Sequence, residues 1–230
     1  MAAIVHNSSF YIGLAVNAAN RVSASDPEDD SRREAIISVV FAASALEAFI
    51  NERVDWAVQL CNEQDEPEVV RTFASVLAEA ENSRASLESK YKLARWILTG
   101  KGYDQGTNPY QDFLLLISLR NSLVHLKPAN TLLKRFEGKG VLLPEDQVAF
   151  ESFDDPSEAM PGSWTERVAT KEMAIWACDA ASRFVVEFID SLSRDTLGSR
   201  FYLQSSHVVR KYWADIWNTS PEVLAMGHER

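Results

Sequence analysis

Three residues whose side chains can hold a phosphate and move protons sit close together in the stretch R-N-S-L-V-H: Arg120, Asn121 and His125. Arginine offers a planar fork of donors to phosphate oxygens, and histidine exchanges protons near neutral pH. On a helix, at about 100° per residue, the three fall near 0°, 100° and 140°, on one side of the cylinder but not in one row. Arg120 and His125 are then about 7.5 Å apart along the axis, a span that suits the two sides of one phosphodiester. Asn121 lies one turn before His125, where its amide can hold the imidazole in one tautomer. Such a set can cleave RNA through the ribose 2′-hydroxyl without a metal. The same spacing also fits a snorkelling surface arginine and a histidine whose charge a helix C-terminus favours.

The element that must carry these residues is the apolar stretch from Tyr110 to Pro128, Y-Q-D-F-L-L-L-I-S-L-R-N-S-L-V-H-L-K-P. Asn108-Pro109 is predicted to start it and Pro128 to stop it. A second helix is predicted from about Ser31 to Cys61, with Ile36, Val40, Ala43, Ile50 and Val54 recurring at helical spacing. Glu47 continues the same register. A carboxylate in a buried stripe needs a partner. Arg120 is the partner expected for it, with Asn51 one turn along; the alternative is an edge position from which Glu47 reaches solvent or bonds Arg53.

Taken together, R-N-S-L-V-H on a late apolar helix and A-A-S-A-L-E-A-F-I-N-E on an earlier one resemble the HEPN superfamily of all-α domains. The likeness covers roughly Ser31 to Ser193, with the specificity in the motif itself. It implies an HEPN-like helical bundle in which Arg120, Asn121 and His125 are catalytic, Glu47 and Asn51 support them, and no metal or other cofactor is needed. It further implies a metal-independent endoribonuclease that leaves 2′,3′-cyclic phosphate ends, acting as a toxin or an antiviral defence effector. The alternative within the same superfamily is a non-catalytic nucleotide-binding or dimerisation module. The partners implied are RNA, a second copy that completes a composite active site, and an antitoxin or defence-system protein. Members paired with nucleotidyltransferase antitoxins often carry Tyr two residues after the His. Here that position is Lys127, a departure that weighs against an antitoxin of that kind.

At 230 residues, 46% of them hydrophobic, the chain can bury one sizeable core. A net charge of −10 argues against binding a nucleic-acid backbone over the whole surface. Any RNA contact must be local, and the most basic window coincides with the motif. Between Arg120 and Gly140, Arg120, Lys127, Lys134, Arg135 and Lys139 face only Glu137, a net of +4. Lys127, Lys134 and Arg135 are therefore the expected RNA-binding residues. Cys61 and Cys178 have no paired spacing and read as free thiols, in keeping with the cytoplasm. No apolar run stands out as a membrane span, and the N-terminus lacks the basic start of a signal peptide. A cytoplasmic protein with no membrane partner is the expectation.

The remaining chain reads as further helices and their connections. Helices are expected over Ile4–Val22 (apolar Phe10, Leu14 and Val16), Val69–Glu81 (Val70, Phe73, Leu77) and Ser86–Thr99 (Leu87, Tyr91, Ala94, Leu98). Lys90, Lys92 and Arg95 on the last of these either flank an RNA path or form a charged outer face. G-K-G at Gly100 lacks the spacing of a phosphate loop. An irregular insertion of about 129–164 follows the motif helix: a short helix from Ala129 to Phe136, a hairpin or extended flap from Gly138 to Phe153, and an acidic loop from Asp154 to Ser163. A strong helix is expected from Thr165 to Arg194, with Ala174, Ala177, Ala181, Phe184, Phe188 and Leu192 inward. This places one helical domain at 1–197. The aromatic tail, 198–230, reads as a last helix docked on the bundle or as a subunit contact.

Overall fold

The computed structural model describes residues 7–22, 29–63, 65–127, 129–145, 150–151, 159–160, 163–193, 197, 201–202, 205–206 and 213. Apart from one two-residue ladder, the regular elements among them are helices: α1 (Asn7–Arg21), α2 (Asp29–Glu63), α3 (Glu68–Asn82), α4 (Leu87–Thr99), α5 (Tyr110–His125), α6 (Asn130–Lys134), α7 (Trp164–Arg167) and α8 (Lys171–Asp190). The all-α class expected from periodicity is the class observed. α2 is the central helix and packs against α1, α3, α5 and α8.

That central position explains its sequence. Between Glu34 and Asn51 the only charged residue is Glu47, and Ala35, Val39, Ala42, Ala43, Ala45, Leu46, Phe49 and Ile50 are all buried. Burial on several sides needs apolar residues nearly all round, not one stripe. By length and composition α2 could also cross a membrane, which corrects the expectation that no run stands out; half of its most apolar stretch is buried within the bundle.

The helix ends follow local chemistry. Ser86 caps α4 by accepting the Ser89 backbone N–H at 3.1 Å, and Gly100, at φ +69°, closes it in the left-handed conformation that glycine tolerates. G-K-G is thus a helix stop. The predicted helix from Thr165 to Arg194 is instead two, because Thr170 caps a new one by accepting the Met173 N–H at 2.9 Å. On α1 the larger apolar residues named from the sequence are not the buried ones. Phe10 is 62% exposed, while Ser8, Ile12, Ala15, Ala18 and Ala19 face inward. Small residues there let the backbone approach α2 closely, so size and not hydrophobicity selected the face.

Around α5 the core is aromatic. Phe113 stacks on Phe184 at 4.1 Å between centroids, and Tyr91 meets both rings edge-on. Each such fully buried ring contributes about 1.5–3 kcal/mol. After α5 the chain reverses through α6, burying Leu133 and Phe136. The ladder pairs Phe150–Glu151 antiparallel to Ala159–Met160, so the hairpin expected within 138–153 starts at its end and returns through the segment expected to be a loop. In the tail, Phe201 packs on Phe73 at 5.5 Å and Trp213 on Phe49 at 5.8 Å, which docks both on the bundle. Tyr202 is partly buried against the same core, while Tyr212 and Trp217 lie outside the described residues.

Candidate active site at the end of α5

α5 presents Leu115, Leu116, Leu119 and Leu123 to the core, and this fixes where the motif side chains point. Arg120, about one-third exposed, turns towards α2. Its Nη2 donates to Glu47 Oε2 at 3.4 Å, and its Nη1 to Asn121 Oδ1 at 3.0 Å. The partner expected for Glu47 is the partner found, but the carboxylate is not buried: it is 46% exposed at the edge of the stripe. Both halves of the expectation hold in part, because a pair at the edge is reached by solvent too. Arg53, the other partner considered, lies beside Glu52.

Asn121 orients the arginine and not the histidine. With its Oδ1 taken by Arg120, it makes no hydrogen bond to His125. His125 is the last residue of α5, exposed, and without a hydrogen-bond or charge partner among the described residues. The helix stops one residue later, and not at Pro128, which lies outside the described residues. Leu126 adopts the left-handed conformation at φ 48°, ψ 41°, and the N–H groups of Leu126 and Lys127 both turn back to the Ser122 carbonyl. Glycine usually takes this position, and a leucine there is strained. Leu126 is also 77% exposed and Val124 51% exposed, so an apolar pair flanks the histidine. The sequence carried a signal for this: Val124 falls within 40° of Arg120 on the helix, on the polar side.

The supporting and RNA-binding residues are only partly brought together. Asn51 Oδ1 accepts from Lys90 Nζ at 3.3 Å and so faces α4, away from the motif. Lys127 is exposed beside His125, and Lys134 is exposed on α6. Arg135 donates to Gln111 Oε1 at 3.3 Å. Gln111 lies nine residues before Arg120, about 13 Å back along α5. Lys139 pairs with the buried Asp112 at 3.0 Å. Because α6 runs back along α5, the basic window is spread over the length of that helix and does not form one patch. Lys90, Lys92 and Arg95 are paired with Glu81, Glu88 and Glu187 respectively, so they form no open basic track.

Sequence reasoning missed two buried charge networks. Asp112 also faces Arg183 at 3.8 Å, and Arg183 in turn binds Asp179; burial pushes the Asp179 carboxyl up despite that arginine. Glu52 binds Ser8 of α1 through both oxygens. Among the described residues no three His, Cys, Asp or Glu side chains gather as a metal site requires. No family model matches this chain, and neither the curated proteins nor the solved structures contain a match.

Proposed function

We propose that this chain is a metal-independent endoribonuclease of the HEPN type, working as a homodimer in the cytoplasm. The observation that carries the reading is the contrast between its two key residues. Arg120 is oriented by Glu47 and Asn121, while His125 stands open at the end of a rigid, buried helix. An oriented guanidinium can bind a phosphodiester and stabilise the charge that grows on it in the transition state. An open imidazole can take the proton from the ribose 2′-hydroxyl. The 2′-oxygen then bonds to phosphorus, the bond to the 5′-oxygen breaks, and a proton returns to that oxygen. The products are a 2′,3′-cyclic phosphate and a 5′-hydroxyl.

Within one copy Arg120 leans towards α2 while His125 faces solvent, so a second copy is the natural source of the remaining acid or base. Val124 and Leu126 supply exposed apolar surface where such a copy would meet it. Lys127, beside His125, and Lys134 are exposed and, among the described residues, unpaired, so they are the basic residues of that window proposed to contact RNA. A role as a toxin or in antiviral defence, with an antitoxin or defence-system partner, comes from the resemblance alone.

One observation favours the non-catalytic alternative. The Glu47–Arg120 pair can also serve only to hold α2 and α5 together, leaving a nucleotide-binding or dimerisation module. The test is cleavage of mixed cellular RNA by purified protein in excess EDTA, beside His125→Ala and Arg120→Ala. Cleavage that both substitutions abolish, leaving cyclic-phosphate ends, supports the nuclease. Intact RNA with a dimer by light scattering supports the module. Cleavage by both variants refutes the assignment of the site.

A further inference from the structure

Far from the motif, the start of α2 and the α7 turn enclose an open cavity of about 510 Å3, a size typical of small-molecule sites. Its floor is apolar, formed by Ile36 and Ile37 of α2 and by Ala169, which follows α7. Two arginines stand at one end.

Arg32 is fixed along one edge only. Its Nη1 donates to Glu166 Oε1 at 3.0 Å. The other oxygen of Glu166 accepts the Ser163 backbone N–H at 2.9 Å, closing the capping box of α7. Both oxygens of that carboxylate are therefore engaged. Arg32 Nε, by contrast, is buried with no hydrogen-bond partner. A buried donor left without an acceptor destabilises the fold, and carboxylates pair with arginine by taking two adjacent N–H groups of the fork. Arg33, at the rim, is 69% exposed and already engaged, in part by Asp30.

We propose that this cavity binds a small amphipathic carboxylate. The apolar body lies on Ile36, Ile37 and Ala169, and the carboxylate takes the edge of the Arg32 guanidinium that Glu166 does not hold. Glu166 already holds the guanidinium in place, so the ligand meets a preorganised donor. Ile36 is eleven residues before Glu47, about 16 Å along α2. The site therefore stands whether or not the motif cuts RNA.

Octanoate and octanol serve as probes, titrated into the full chain by calorimetry. The expected result is saturable binding of octanoate, with octanol weaker by about tenfold or more. Arg32→Lys keeps the charge facing Glu166 but loses the fork, and should weaken octanoate by about tenfold while the melting temperature holds. Ile37→Ser, at a partly exposed position, should weaken both probes. Failure of octanoate to bind, or equal binding of octanoate by Arg32→Lys, overturns the proposal. So does a groove that takes an acidic peptide and ignores octanoate.

Discussion

Replacing Arg53 with Met should change the stability of the protein little, although this removes a charged residue from the centre of the fold. Arg53 is 1% exposed, and its Nε, Nη1 and Nη2 have no hydrogen-bond partner. Among the described residues its counter-charge is Glu52 Oε2, 3.7 Å from Nη2, and its guanidinium lies 5.3 Å from the Phe49 ring centroid. Burial lowers its pKa, with the Glu52 charge opposing. Three unsatisfied donors cost about 1–3 kcal/mol each at most, against about 2 kcal/mol from the ring contact and a loose ion pair. Met fills similar volume with no donors. Relief of those donors is opposed by the loss of the counter-charge to the buried Glu52, which keeps both of its hydrogen bonds from Ser8, so the expected change lies within about 2 kcal/mol of zero. Glu52→Gln should behave differently. Glu52 accepts the Ser8 N–H at 2.7 Å and the Ser8 hydroxyl at 2.6 Å, and its loss also leaves Arg53 a bare buried cation. A cost of about 3–5 kcal/mol follows. In the double variant that cost should shrink, since no cation remains to be stranded. Urea unfolding of the four proteins measures all three values. A loss of more than about 2 kcal/mol in Arg53→Met would refute the reasoning, because Arg53 would then have acceptors it lacks here.

Leu126→Gly should relieve the left-handed strain at the end of α5 and raise stability by about 0.5–1 kcal/mol; a lower midpoint in urea would mean that Leu126 makes contacts its exposure denies. Burial pushes the Cys178 thiol up to about 12, while the partly exposed Cys61 is raised less. A thiol-reactive dye at pH 8 should therefore label Cys61 first and Cys178 only on unfolding. The hydrogen bond from Lys92, aided by Tyr110, holds the Glu88 carboxyl below its ordinary 4.5. Its contribution is present above that value and lost as pH falls through the folded one, so the advantage of wild type over Glu88→Gln should vanish in acid melts. Asp179 has the reverse sign. Raised above its ordinary 3.8 by burial, it favours the folded state most at low pH, and wild type should gain on Asp179→Asn as pH is lowered.

What was legible in the sequence was whatever depends on local periodicity. Val70, Phe73 and Leu77 on α3, and Ala174, Ala177, Phe184 and Phe188 on α8, are buried as their spacing predicts. α3 has one buried face, and one face makes one stripe; α8 is buried over a wider arc that includes its stripe. α2 is enclosed on several sides, so its stripe blurred, and Ile36 and Val40 proved only half-buried. The Glu47–Arg120 pair was legible because an acid in an apolar register needs a nearby base. The direction of Asn51 was not. It depends on Lys90 of another helix, and no spacing within α2 encodes which neighbour arrives. The basic window failed for a similar reason. Charges close in sequence are brought to opposite ends of α5 by the reversal at α6, a tertiary fact invisible to a net-charge count.

The two ends of α5 are built in different ways, and this bears on the role of the motif. At its start, Asp112 is buried between Lys139 and Arg183, the Tyr110 hydroxyl reaches Glu88 at 3.1 Å, and Phe113 lies flat on Phe184. At its end, Arg120 has one ion pair, at 3.4 Å, His125 has no described partner, and two apolar side chains face water beside a strained leucine. A helix locked at one end and left open at the other holds its last turn steady without filling it. Residues whose only task was to hold helices together would be expected at the closely packed end, where each contact is supported by others. Local rules broken together at one place mark a site that something else completes. A guanidinium and an imidazole carried about 7.5 Å apart along one helix axis, beside the exposed Val124 and Leu126, are what the proposed nuclease would need at that open end, and the paired substitutions at Arg120 and His125 decide whether they are used so.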